Sequence, residues 1–251
     1  MIEFENVNKT YDDGTEAVRD FSLRAESRET TVLVGTSGSG KTTVLRMVNR
    51  MVEPTAGRVL WDGRDVATMD AVRLRRSIGY VLQEGGLFPH WTVLRNIATV
   101  PLLENTPKDE AMRRAAELLT LVGLDASLGE RYPSQLSGGQ RQRVGVARAL
   151  ANNPLVLLMD EPFGALDPLV RRDLQREVVR IREALGTTII MVTHDMHEAL
   201  MLGHKVVVMA TGGRIVQEGS PEQILSSPAD DFVAGLLDAS GMMAFVNGDR
   251  A

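Results

Sequence analysis

Gly35-Thr36-Ser37-Gly38-Ser39-Gly40-Lys41-Thr42-Thr43 decides how the rest of this 251-residue chain is read. The stretch follows an apolar run, Thr31 to Val34. It precedes Val44, Leu45, Met47, Val48, Met51 and Val52, which recur at helical spacing until Pro54 stops the pattern. The order is buried strand, glycine-rich loop, helix. A polyphosphate needs many donors converging at short range. Backbone N–H groups supply them only where no side chain blocks the approach, which accounts for Gly35, Gly38 and Gly40. Lys41 adds positive charge at the β and γ phosphates, Thr42 offers a hydroxyl to Mg²⁺, and the helix points its N-terminus at the anion.

Outward from this loop, residues 2–34 read as short strands, with Ile2 and Phe4 alternating with Glu3 and Glu5 and a turn at Asp13-Gly14. Val59-Leu60-Trp61 leads into a second hairpin signal at Asp62-Gly63, and Ile78 to Leu82 is a further buried strand. Beyond Gln83 the strand pattern disappears, and Thr92 to Asn152 reads as helical. One helix there is expected to have Thr106 as N-cap and Pro107 at its first position, to turn Met112, Ala115, Leu119 and Val122 inward, and to end at Gly123. Strand-type runs return at Leu155 to Met159, Thr188 to Thr193 and Val206 to Met209. A helix between the first two carries Leu169, Leu174, Val178, Ile181 and Leu185 on one face and mixed charges on the other. The expected organisation is an α/β fold. Residues 1–85 and 153–235 form its core, 86–152 an inserted α-helical subdomain, and 236–251 a tail.

Composition narrows the function. Hydrophobic content of 43% and charge of 24% are ordinary for a globular protein. A net charge of -5, from Lys+Arg 28 against Asp+Glu 33, gives no global reason to expect nucleic-acid binding. Cysteine is absent, which removes disulfides, thiolate metal sites and thiol nucleophiles. The apolar runs fall far short of the roughly 20 residues that cross a bilayer. Met1 to Glu5 has no signal-type character, so the expectation is a cytosolic protein able to dock onto a membrane partner.

Carboxylates and amides gather at the ends of the later strands. Asp160 and Glu161 follow Leu155 to Met159, where a parallel sheet presents ligands. Asp160 suits Mg²⁺ held through water, and Glu161 suits a base for the water that attacks a γ phosphate, although both also fit a solvated strand end. Gln83 ends its own strand and can reach the metal or the attacking water, or serve as polar surface. His194, after Thr193, can donate to a γ phosphate or simply cap. His197 has no third ligand to complete a metal site, and Asp195-x-x-Glu198 reads as a capping box. Ser137-Gly138-Gly139-Gln140, ahead of Val144, Val146, Ala147 and Leu150, is also a capping box. Capping does not need its two glycines. They expose donors at a helix N-terminus and make a second anion site, too far along the chain to extend the first.

With these motifs in order, residues 1 to about 235 resemble the ATP-binding cassette subunits of membrane transporters. The resemblance implies a P-loop NTPase core with a mixed sheet, an N-terminal antiparallel β region and the inserted helical subdomain. It implies ATP and Mg²⁺ as ligands and ATP hydrolysis as the activity. Tyr11 is then expected to stack on adenine, Gly35 to Thr43 with Ser37 to form the Walker A loop, and Gln83 to sense the metal and couple to the membrane partner. Asp160 and Glu161 match the Walker B aspartate and catalytic glutamate, and His194 matches the switch histidine. Metal contacts are expected from Thr42, Gln83 and Asp160. Ala165-Leu166-Asp167 looks like the D-loop, and Leu136 to Gln140 like the signature motif. Such cassettes pair head to tail, so that Ser137, Gly138, Gly139 and Gln140 of one copy close over nucleotide held by the other.

Within that family, Met47-Val48-Asn49-Arg50-Met51-Val52-Glu53-Pro54-Thr55 and Gly86-Leu87-Phe88-Pro89-His90-Trp91-Thr92-Val93 resemble importers of osmoprotectant quaternary amines such as glycine betaine, carnitine or choline. Gly85-Gly86 after Gln83-Glu84 departs from the subgroup pattern. The partners implied are a second copy, transmembrane permease subunits and, indirectly, a solute-binding protein, at the cytoplasmic face of the membrane and without nucleic acid. Longer members carry paired regulatory domains after the cassette, and this sequence ends at Ala251, so either such sensing is lacking or the form is truncated. Other readings are an importer ATPase for an amino acid or anion, a soluble non-transport cassette ATPase, and a non-catalytic nucleotide-binding regulator.

Overall fold

A computed structural model describes residues 1–83, 85–164 and 166–242. Ala165 of the expected D-loop, Glu84, and the tail residues from Met243, Gly248 among them, lie outside the described residues. In chain order the first elements are β1 (Ile2–Thr10), β2 (Glu16–Ala25), β3 (Thr30–Gly35), α1 (Lys41–Val48), β4 (Ala56–Trp61), β5 (Arg64–Asp65) and α2 (Ala71–Ser77). Next come β6 (Ile78–Val81), α3 (Val93–Ile97), α4 (Thr99–Leu103), α5 (Lys108–Leu121), α6 (Gly138–Leu150), β7 (Val156–Asp160) and α7 (Pro168–Leu185). The chain closes with β8 (Thr188–Thr193), α8 (Met196–Leu202), β9 (Lys205–Ala210), β10 (Arg214–Gly219), α9 (Pro221–Ser226) and α10 (Asp231–Ala239). Two units emerge: Met1–Leu74 with the chain from Thr188, and Arg75–Thr187. The helical segment 86–152 lies within the second.

In the first unit, an antiparallel sheet runs β2-β1-β4-β5. Alternation buries Phe4 against Phe21, their rings edge-on at 5.3 Å, and the Asp-Gly signal closes the β4–β5 hairpin with Asp62 at φ 48 and Gly63 at φ 77. The parallel strands carry the site. β3 pairs with β8 on one side and β9 on the other, Val34 lying opposite Thr193 and Val208. Every residue of β3 and β8 is buried, as parallel strands covered on both faces require. This register brings the loop after β3 and His194 after β8 out at one edge.

In the second unit, β6 and β7 run parallel with Val81 opposite Met159. The helical stretch packs on Ala111, Ala115, Leu118 and Leu119 of α5 and on Val144, Val146, Ala147 and Leu150 of α6.

Several local expectations shift. α1 ends at Val48, because Arg50 turns left-handed at φ 56 and both Met51 and Val52 N–H groups return to the Arg46 carbonyl; Met51 is exposed. The N-cap of α5 is Pro107 rather than Thr106: at ψ 136 Pro107 is still extended, while its carbonyl accepts the first helical bond from Ala111. Met112 sits half-buried beside the α5 core. Leu169 and Leu185 are exposed because they occupy the first and last turns of α7, and the buried stripe is Leu174, Val178 and Ile181. Asp195 caps α8 through the His197 and Glu198 N–H groups, but the buried Glu198 carboxylate takes the Thr193 hydroxyl at 2.7 Å instead of closing a box.

Candidate functional site

The loop of the first unit uses its glycines for backbone reasons. A Cβ at Gly35 would stand 2.1 Å from the Met209 carbonyl oxygen, and one at Gly40, where φ is 83, would stand 2.3 Å from the Ala17 carbonyl oxygen. Gly38 is left-handed at φ 78 with nothing within 4 Å of a Cβ, so the loop tip with Ser37 faces open space. α1 starts at Gly40 with no side-chain cap and no acidic residue in its first turn, which leaves the positive end of the helix uncompensated. Lys41 is buried, its Nζ donating to the Gly35 and Thr36 carbonyls at 2.8 Å each and to Ser39 Oγ at 3.2 Å. The ammonium is thereby aimed into the loop by the loop itself. Thr42 and Thr43 are half-buried, and Thr43 Oγ1 lies 3.2 Å from the Tyr11 hydroxyl. Lys9 sits 5.2 Å over the half-exposed Tyr11 ring. His194 is exposed at the edge from which this loop emerges.

The second unit brings together the carboxylate group of residues. Continuing the β6–β7 register sets Gln83 beside Glu161, and Gln83 Nε2 donates to Glu161 Oε2 at 3.5 Å, the outer limit of a hydrogen bond. Glu161 has φ 45, a left-handed conformation rare for a non-glycine residue and rarer before a proline. Such strain, about 1–3 kcal/mol, is retained where the surroundings over-determine a side chain's direction. Asp160 is nearly buried, and the Tyr80 hydroxyl donates to its Oδ2 at 3.1 Å. Sequence reading missed Tyr80; the strand alternation that puts it on the Asp160 side was visible, but the pairing of β6 with β7 was not. Exposed Asp167 caps α7 by accepting the Val170 N–H at 3.1 Å.

The same unit carries Ser137 to Gln140. Ser137 Oγ accepts the Gln140 N–H at 3.2 Å and Gln140 Oε1 accepts the Ser137 N–H at 2.9 Å, a complete capping box. Gly138 and Gly139 are helical, and a Cβ at Gly138 would meet nothing closer than 3.8 Å. Folding alone therefore does not require glycine at 138.

In the first unit Thr42 offers a hydroxyl, and in the second Asp160 offers a carboxylate; both are hard oxygen donors of the kind Mg²⁺ takes. Among the described residues no three His, Cys, Asp or Glu side chains gather into a cage.

Comparison with known proteins gives one family. The protein-family model described as ABC transporter matches residues 18–164. The chain is 52% identical to the glycine betaine uptake system ATP-binding protein YehX of Escherichia coli (strain K12), over 93% of this chain and 75% of that protein. It is 49% identical to the choline transport ATP-binding protein OpuBA of Bacillus subtilis (strain 168), over 93% of this chain and 61% of that one. A solved structure, the dimeric post-hydrolysis state of the ATP-binding cassette MJ0796 bound to ADP and Pi, superposes with a TM-score of 0.81 at 33% identity, covering 88% of this chain and 99% of that one.

Proposed function

The chain belongs to the ABC transporter family, and from that premise we propose that it is the ATP-hydrolysing subunit of an importer for osmoprotectant quaternary amines such as glycine betaine, carnitine or choline. The solute class rests on the relatives named for glycine betaine uptake and choline transport. Hydrolysis, as opposed to nucleotide binding alone, rests on one observation: Gln83 and Glu161 stand side by side, with Glu161 in a strained left-handed conformation.

Lys41 exchanges its bonds to Gly35 and Thr36 for β- and γ-phosphate oxygens, while the Gly38 region and the uncapped start of α1 offer N–H donors. Tyr11 stacks on adenine, Thr42 offers its hydroxyl to the metal, and His194 donates to the γ phosphate. Asp160, which accepts the Tyr80 hydroxyl, would hold the metal. Mg²⁺, when bound, would supply positive charge against the phosphate oxygens. Glu161 accepts a proton from the attacking water, Gln83 orients that water, and the bond from the γ phosphorus to the β-phosphate oxygen breaks. Ser137, Gly138, Gly139 and Gln140 serve nucleotide held by a second copy in a head-to-tail dimer, with Asp167 near the same contact. Closure of the dimer by ATP shifts a population and pushes on permease subunits, which a solute-binding protein loads. Among the described residues no helix is long and apolar enough to cross a membrane.

The test is reconstitution with the permease, reading phosphate release and uptake of radiolabelled glycine betaine, choline, an amino acid and sulfate in parallel. ATP-dependent uptake of a quaternary amine alone supports the proposal. Uptake of sulfate or an amino acid instead would overturn the solute class, and no phosphate release would overturn the enzyme.

A further inference from the structure

The two glycines after Gln83 that set this sequence apart are both left-handed, Gly85 at φ 73 and Gly86 at φ 55. Consecutive left-handed residues aim both carbonyls toward α6, where Arg148 Nη2 donates to the Gly85 oxygen and Nη1 to the Gly86 oxygen, each at 2.7 Å. Gln142 Nε2 donates to the Leu82 carbonyl at 3.0 Å, and a Cβ at Gly145 would stand 3.0 Å from Gly85 Cα. Gln142, Gly145 and Arg148 recur at three-residue spacing, one stripe along α6. The segment flanking Gln83 is thus fastened along this stripe, backbone directly on backbone at Gly145.

The other end of α6 is the Ser137 to Gln140 capping box, and Gly138–Leu150 is one continuous helix between that box and Arg148. We propose that Arg148 is a positioning residue that links the signature end of α6 to Gln83, so that nucleotide engaging Ser137 to Gln140 resets the Gln83–Glu161 pair of the same chain. The inference rests on the proposed roles of those residues and adds a route between them. Guanidinium is suited to it, since its planar fork spans two adjacent carbonyls where an ammonium grips one point. Burial pushes the Arg148 pKa down from its usual range, consistent with a desolvated cation that depends on these two oxygens.

ATP hydrolysis by the purified full chain, read beside thermal melting and affinity for a fluorescent ATP analogue, tests the link. Arg148→Met is expected to lower kcat about ten- to hundredfold while analogue affinity stays within about twofold, and Arg148→Lys to recover part of the kcat. Combined with Ser137→Ala, Arg148→Met is expected to cost less than the product of the two single losses, the mark of residues acting in one path. Unchanged kcat in Arg148→Met, losses that multiply, or a fall in affinity and melting that parallels kcat would each overturn it. If Arg148→Met yields no folded protein, Gln142→Met decides by the same criteria. A wild-type chain without turnover would bring down the underlying reading and this inference with it; wild-type turnover beside an unaffected variant brings down the inference alone.

Discussion

The helix starts at Gly40 and at Ser137 are both rich in glycine, and they use it for opposite reasons. At Gly40 the fold demands glycine, because φ is 83 and the Ala17 carbonyl lies where a Cβ would go; no side chain caps the helix. At Ser137 a complete capping box satisfies the helix, Gly138 is helical, and space around it would admit a side chain. The first glycine set is explained by this chain's own backbone. In the second set Gly139 is also fixed from within, a Cβ there falling 2.5 Å from Val170 Cγ1, whereas Gly138 has no such reason in the fold and is left for the contact with a second copy that we propose.

Substitutions separate the two cases. Glu161→Gln, in the second unit, is expected to lower turnover by about 10²- to 10⁴-fold while ATP still binds and closed dimer accumulates; Lys41→Ala, in the first, is expected to lose ATP affinity itself. Kinetics beside equilibrium ATP binding would read the contrast, and near-normal turnover in Glu161→Gln would remove Glu161 as the base. Gly40→Ala is expected to destabilise by at least about 1–2 kcal/mol, read as a lowered denaturant midpoint. Ser137→Ala removes a cap worth about 1 kcal/mol, and turnover is expected to fall further than that loss of stability explains. Gly138→Ala has the smallest effect on the fold, a stabilisation of about 0.5–1 kcal/mol, with Tm rising as turnover falls. A Gly138→Ala chain with full activity would erase the distinction between the two helix starts.

The phosphate loop was legible because its chemistry is local: strand, glycines, lysine and helix follow one another in sequence. The strand ends bearing Glu161 and His194 were legible from apolar runs that stop at polar residues. Pairing between distant strands was not, so Tyr80 went unseen as the partner of Asp160, and Arg148 and Gln142 unseen as the anchors of the Gly85 turn. Helix ends were misjudged at Pro54 and Thr106 because Arg50 and Pro107 adopt backbone conformations that neither pattern nor propensity specifies. The strain at Glu161 had no signal in the sequence.

The central claim is that Ser137 to Gln140 of one copy completes the nucleotide site of another. The most direct measurement mixes Ser137→Arg chains with Lys41→Ala chains, both carrying Glu161→Gln to prevent turnover, and follows ATP-dependent dimer formation by analytical ultracentrifugation. Each parent alone is predicted to stay monomeric, and the mixture to form a dimer that occludes one ATP, because one intact loop then faces one intact signature. A mixture that remains monomeric with ATP, while unmutated loop and signature in the same Glu161→Gln background dimerise, would contradict the account.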